Sequence, residues 1–224
     1  MSFQQLRLNV NQYNFGGLAV GLYLISLLGL GWIAFQYSLF PLYTIPILLT
    51  VVFGVAGITL AFASGGLNVS VRPIRLTTLA VVIMSVFMIL TLTFVANLIT
   101  PELQTSFLLN MPTIVALAFF GFIGIQEEAF WRGIYVFLRR FSPGVKGFIL
   151  NSGVQAFGGM AYHQAVGRQL FGGTVFSSPE FYIWVGLSWI LYVVLLEITK
   201  NFGVSMGGHF LWNVMVTGLN MGVI

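Results

Sequence analysis

Gln126-Glu127-Glu128-Ala129-Phe130-Trp131-Arg132-Gly133 sets two carboxyl groups and a guanidinium inside an apolar run, which opens near Met111 as PTIVALAFFGFIGI and resumes after the arginine as IYVFL. An ionisable side chain at that depth in a membrane costs at least ~2.5 kcal/mol on insertion scales, so its default reading is a functional site. On a helix Glu128 and Arg132 stand i,i+4, about 40° apart around the axis, whereas Glu127 and Arg132 stand i,i+5, about 140° apart. Glu128 and Arg132 can therefore neutralise one another, and Glu127 is left to find a partner on another helix. Both histidines of the chain lie on later apolar segments. His163 closes the stretch Asn151-Ser152-Gly153-Val154-Gln155-Ala156-Phe157-Gly158-Gly159-Met160-Ala161-Tyr162-His163. His209 lies in Gly207-Gly208-His209-Phe210-Leu211-Trp212-Asn213, and Asn213, one turn on, shares its face. A carboxylate, two imidazoles and an amide offered by three helices to one interior suffice for amide hydrolysis: a base for water, an orienter, and donors for the oxyanion.

The elements that position these groups are membrane helices. The 224 residues are 58% hydrophobic and only 6% charged, against roughly 25% charged in a typical soluble domain. The expected fold is all-α, a polytopic helix bundle of about seven transmembrane helices. Apolar stretches of about 20 residues fall near 16–37, 41–64, 77–99, 111–138, 146–163, 181–199 and 203–223. Punctuation separates them, as at Pro41, Gly65-Gly66, Pro73, Pro101, Pro143-Gly144 and Pro179. The fifth stretch is short, holds Gln155 and runs through Gly158-Gly159, which predicts a kinked or re-entrant element. The first apolar stretch is longer than a signal-peptide core and has no A-x-A-like end, so it reads as an uncleaved first span. Two regions are expected: three N-terminal spans over 1–100, and a core over 101–224 that carries the polar residues.

Charge placement orients the bundle. Arg7, Arg72, Arg75, Arg139, Arg140, Lys146 and Lys200 fall on one side of that count and Arg168 on the other, which by the positive-inside rule puts the N-terminus in the cytoplasm. The net charge of +4 is small and scattered, which argues against nucleic acid as a partner. The chain has no cysteine, which rules out a disulfide framework, a thiolate metal site and a cysteine nucleophile.

Glu127-Glu128-x-x-x-Arg132 followed by Gly133, and His209-x-x-x-Asn213 near the C-terminus, resemble the CPBP family of CAAX proteases and bacteriocin-processing enzymes, also called the Abi family, to which the type II CAAX prenyl endopeptidases are related. The resemblance runs from Met111 to Ile224, and residues 1–100 match only as membrane spans. It implies an intramembrane endopeptidase of the cell membrane in which Glu127 activates water, His163 assists, and His209 with Asn213 stabilises the oxyanion. Glu128 and Arg132 would support the site. The implied partners are the lipid bilayer and a peptide with a membrane-associated segment: a prenylated CAAX-like C-terminus, or a bacteriocin or leader peptide. One departure stands out. The family's middle motif is F-x-x-x-H, and the residue four before His163 is Gly159, with the nearest phenylalanine at 157; either the helix is remodelled at Gly158-Gly159 or the substrate wall differs. The stretch 164–179 is longer than a minimal member needs.

No cofactor is expected. The alternative is zinc held by Glu127, His163 and His209, a ligand set known from catalytic zinc sites. Against it, the chain has no H-E-x-x-H, and a Glu127 spent as ligand leaves as base only Glu128, which Arg132 engages. The blander reading of the acids is a buried ion network that fixes packing. For His209 and Asn213 it is interhelical hydrogen bonding, worth ~0.6 kcal/mol a contact. Both yield to the ordered set of acids and histidines. Gly203-Val204-Ser205-Met206-Gly207 matches the nucleophile elbow G-x-S-x-G, but that motif needs a strand-turn-helix setting, and its glycines read better as G-x-x-x-G for close helix approach. The tryptophans read first as lipid-facing or interfacial. Two other classes compete: a non-proteolytic immunity or scaffold protein of the same fold, and a small transporter using Glu127 as proton site, which lacks an evident inverted repeat.

Overall fold

Helices occupy the apolar stretches and end where the glycines, prolines and polar residues interrupt them. In the computed structural model the residues described are 13–37, 44–69, 80, 82–87, 111–167 and 179–220. Six long helices fill most of them: α1 (Leu18–Gln36), α2 (Thr44–Ala63), α3 (Thr113–Phe141), α4 (Gly144–Tyr162), α5 (Pro179–Thr199) and α6 (Phe202–Asn220). The fold is all-α, and each of these helices falls on one of the expected spans. Of the expected span at 77–99, residues 80 and 82–87 are described and are helical. Most of the expected external loop at 164–179 lies outside the described residues. By length and composition α1, α3 and α5 are apolar enough to cross a membrane. The interruption expected in the fifth span takes the form of a π-helical turn, His163–Gly167, that follows an unbroken α4.

Helix α3 is the central element, with α2, α6 and α1 packed along it. Its closest neighbour is α2, because the helices cross where both are glycine. A methyl group added at Gly133 would fall on the Gly57 backbone, and one added at Gly57 on the backbone of Ala129 and Phe130. Small residues let helix backbones approach in this way. Helix α1 joins α3 through a polar contact, the Gln126 Nε2 donating to Ser26 Oγ at 2.6 Å. The turn that returns α4 alongside α3 is held by Arg139 Nη1, which donates to the carbonyls of Ser142 and Gly144 at 2.9 Å each.

The structure adds an element that the apolar pattern did not announce. Two short strands, β1 (Tyr13–Asn14) and β2 (Leu67–Asn68), pair in parallel, and Asn14 also bridges to Asn201. The strand is stitched to two turns: the Tyr13 amide donates to Gly66 O, Asn14 to Lys200 O and Phe15 to Asn68 O, at 2.7–2.9 Å. Beneath it lies Glu197. Its Oε1 accepts from Tyr13 (2.6 Å), Tyr135 (2.5 Å) and Arg139 (3.0 Å), and its Oε2 pairs with Lys200. The Lys200 ammonium also sits over the Tyr13 ring, 4.8 Å from its centroid. Arg139 and Lys200 thus meet at the end of the bundle where residue 13 enters.

Burial, reinforced by the Glu197 charge, holds the Tyr13 phenol above its ordinary value of 10.0. A pKa raised on folding means that this contribution is complete below pH 10 and lost only as pH rises through the folded value. Tyr13→Phe removes a hydrogen bond to a charged acceptor and is expected to destabilise the protein by about 1.5–3 kcal/mol, read as a lowered unfolding midpoint in detergent at neutral pH.

Candidate active site

Glu127, Glu128 and Arg132 occupy the middle of α3, among its most buried turns. Glu128 and Arg132 are completely buried, and Glu127 is 8% exposed. The pairing read from spacing is present: Arg132 Nε lies 3.1 Å from Glu128 Oε2. Glu128 does more than neutralise the arginine. Its Oε2 also accepts from Ser205 Oγ, and its Oε1 lies 3.2 Å from His209 Nδ1. The other imidazole nitrogen, His209 Nε2, stands 3.4 Å from Glu127 Oε2. The two acids separated by helical geometry therefore meet again on the two nitrogens of one histidine.

That geometry orients the imidazole. Nδ1–H is the donor to Glu128, whose carboxylate also receives Ser205 and Arg132. Nε2 is left facing the Glu127 carboxylate. Glu128 and Arg132, both completely buried, offset one another, as a buried ion pair must.

His209 is held in orientation by aromatic rings as well. Tyr192 of α5 stacks on it, centroids 4.7 Å apart and planes 16° apart, and Trp189 meets it at 5.3 Å and 90°. Asn213 lies further along α6 and donates Nδ2 to Phe120 O at 3.0 Å. That contact leaves the amide its second N–H.

His163 begins the π-helical turn and binds Gly159 O through Nδ1 at 2.9 Å. A carbonyl only accepts, so Nδ1 carries the proton and the neutral ring keeps its lone pair on Nε2. Glu127 and His209 are near enough to act on His163 electrostatically. The structure thus brings Glu127, Glu128, Arg132 and His209 into direct contact, with His163 within their field and Asn213 tied to the backbone of α3.

Residues outside the sequence motifs complete the site. The Tyr162 hydroxyl lies 3.5 Å from Thr50 Oγ1 on α2 and close enough to the Glu127 carboxylate to act on it electrostatically, so a helix of the N-terminal region reaches the site. Its ring packs edge-on against Trp131, one turn past Glu127. Trp189 is a correction to the expectation that tryptophans face lipid: it is 1% exposed, because it fills space left by Gly159. Ser205, in the apparent nucleophile elbow, lies in the first turn of α6 and donates a hydrogen bond to Glu128. The i,i+3 spacing of Trp189 and Tyr192 was a signal for a shared helix face, though not for a buried one.

Among the described residues no three His, Asp or Glu side chains are grouped so as to hold a metal ion. Both nitrogens of His209 are already directed at carboxylates. No step below is routed through a metal.

Residues 109–215, which span α3 to α6, match the family described as Type II CAAX prenyl endopeptidase Rce1-like. No curated protein and no solved structure matches the chain. The matched stretch, a little under half of the chain, holds both motifs and all of the groups that converge on His209, and over it the chain is similar to the CAAX protease and bacteriocin-processing family.

Proposed function

We propose that this protein is an intramembrane endopeptidase that works through a glutamate-activated water. The observation that supports it most is the seating of His209 between Glu127 and Glu128, which sets a base beside a hydrogen-bond donor. Glu127 takes a proton from water as the oxygen attacks the scissile carbonyl, while the Nε2–H of His209 and the uncommitted N–H of Asn213 donate to the oxyanion. The tetrahedral intermediate then collapses, and Glu127 returns the proton to the leaving amine. His163, with its lone pair on Nε2, orients the water. Glu128, fixed by Arg132 and Ser205, keeps the Nδ1 proton of His209 in place, and Tyr162 holds the Glu127 carboxylate. Donors aimed at a developing charge in a dry site commonly supply the largest part of such a rate enhancement.

The substrate is a peptide with a membrane-associated segment, either a prenylated CAAX-like C-terminus or a bacteriocin or leader peptide. The protein is multi-pass with its N-terminus in the cytoplasm. The grouping of Arg139 and Lys200 at the end where residue 13 enters supports that orientation. The N-terminal spans of 1–100 support the core of 101–224, Thr50 at Tyr162 being one contact with the site.

The test is cleavage of quenched-fluorescence peptides, including farnesylated CAAX C-termini and leader-type sequences, by the purified protein in detergent with and without a strong chelator. Cleavage that survives the chelator is the expected result. Loss of cleavage with chelator means a metal mechanism, and no cleavage of any peptide returns the site to a structural role in a scaffold or immunity protein. A second expectation concerns Tyr162→Phe, which removes the hydroxyl beside the Glu127 carboxylate and should lower kcat by roughly tenfold, the scale of one lost interaction with a charged group. Unfolding measured on the same preparation should stay close to wild type.

A further inference from the structure

Resting on that peptidase reading, we propose that Trp189 is a positioning residue of the site, and that α5 supplies through it the ring that α4 lacks at Gly159. Gly159 lies one turn before His163 and accepts its Nδ1–H, so the two residues share a face of α4. A Cβ at Gly159 would run into Nε1, Cδ1 and Cε2 of the Trp189 indole. The indole therefore occupies the place into which an α4 side chain at 159 would project.

From that notch Trp189 reaches the charged groups of the site. Its ring meets His209 edge to face at 5.3 Å and His163 at 6.3 Å. The Arg132 guanidinium lies 4.9 Å from the ring centroid, and Arg132 Nη1 donates to the carbonyl of Trp189 itself at 3.2 Å. Trp131, on the face of α3 that carries Glu127, packs against the same indole at 5.5 Å. With Tyr192 stacked flat on His209, Trp189 completes a corner that limits rotation of the imidazole, so that Nδ1 stays on Glu128 and Nε2 on Glu127. A small residue on α4 and a large one on α5 are thus two halves of one contact, and residues in such contact show non-additive effects.

The test compares wild type with Gly159→Phe, Trp189→Ala, the double variant carrying both, and Trp189→Phe. Thermal unfolding in detergent and steady-state cleavage of a quenched-fluorescence peptide with a farnesylated CAAX C-terminus are measured on each. Gly159→Phe is expected to lower the unfolding midpoint and abolish cleavage. Trp189→Ala should lower kcat by about tenfold or more with KM little changed, since small displacements of reacting groups cost rate before binding. The double variant should unfold above Gly159→Phe alone and recover part of kcat, and Trp189→Phe, which keeps an edge-on ring, should retain most of it. A double variant whose midpoint equals the sum of the two single effects overturns the pairing, and an unchanged kcat in Trp189→Ala overturns the positioning role. Coupled unfolding without cleavage by any of the proteins keeps the pair and removes the peptidase reading instead.

Discussion

Purified Glu127→Gln is expected to cleave none of the peptides that the wild type cleaves, while unfolding close to the wild-type temperature. Glutamine fills the same volume, and its amide can donate to or accept from His209 Nε2 across the 3.4 Å gap. It cannot take a proton from water. General-base catalysis contributes typically about 10²- to 10⁴-fold, so the loss should reach the detection limit of a peptide assay, with substrate binding preserved. Measuring binding of an uncleaved peptide beside turnover separates the two. Normal turnover by this variant would refute the glutamate mechanism.

The second large effect belongs to Arg132, and it falls on stability. Arg132→Leu leaves two carboxylates around one imidazole in a water-excluded site, with Glu128 completely buried. Breaking a buried pair by removing one partner costs about 3–5 kcal/mol, a large share of the roughly 5–15 kcal/mol that holds a typical domain folded. The variant should accumulate poorly in membranes and unfold at a clearly lower temperature. Arg132→Lys should not restore it, because a lysine offers a point charge and not the planar fork that serves Glu128 and the Trp189 carbonyl together. Glu128→Gln combined with Arg132→Leu should recover part of the lost stability but little activity, since His209 Nδ1 then loses its charged acceptor. A double variant no more stable than Arg132→Leu alone would mean that the arginine matters for packing and not for charge.

Much of the site was legible from spacing within single helices. The i,i+4 relation of Glu128 and Arg132 appears as a 3.1 Å ion pair, and the phase that separates Glu127 from Arg132 left it to be met by a group from α6. Contacts between helices were less legible, because the order of spans along a chain does not say which faces meet. Glu128 as the acceptor for His209 Nδ1 and Ser205 emerged only when α6 was laid beside α3. Trp189 was read as lipid-facing because its surroundings are apolar; the glycine that receives it lies 30 positions earlier on another helix. A two-residue strand such as Tyr13–Asn14 has too little periodicity to be seen at all.

The clasp at Glu197 also bears on the order in which the protein is made. Tyr13 and Glu197 are 184 residues apart in the chain yet joined by a 2.6 Å hydrogen bond, and the Asn14 amide waits for the carbonyl of Lys200. A ribosome delivers the first half of that clasp long before the second, so the entering strand must stay unpaired on this side until the turn between α5 and α6 emerges. Closing so long a loop is entropically slow. The strand that begins the described chain is thus among the last pieces to lock, and its closure reports that the whole bundle is assembled.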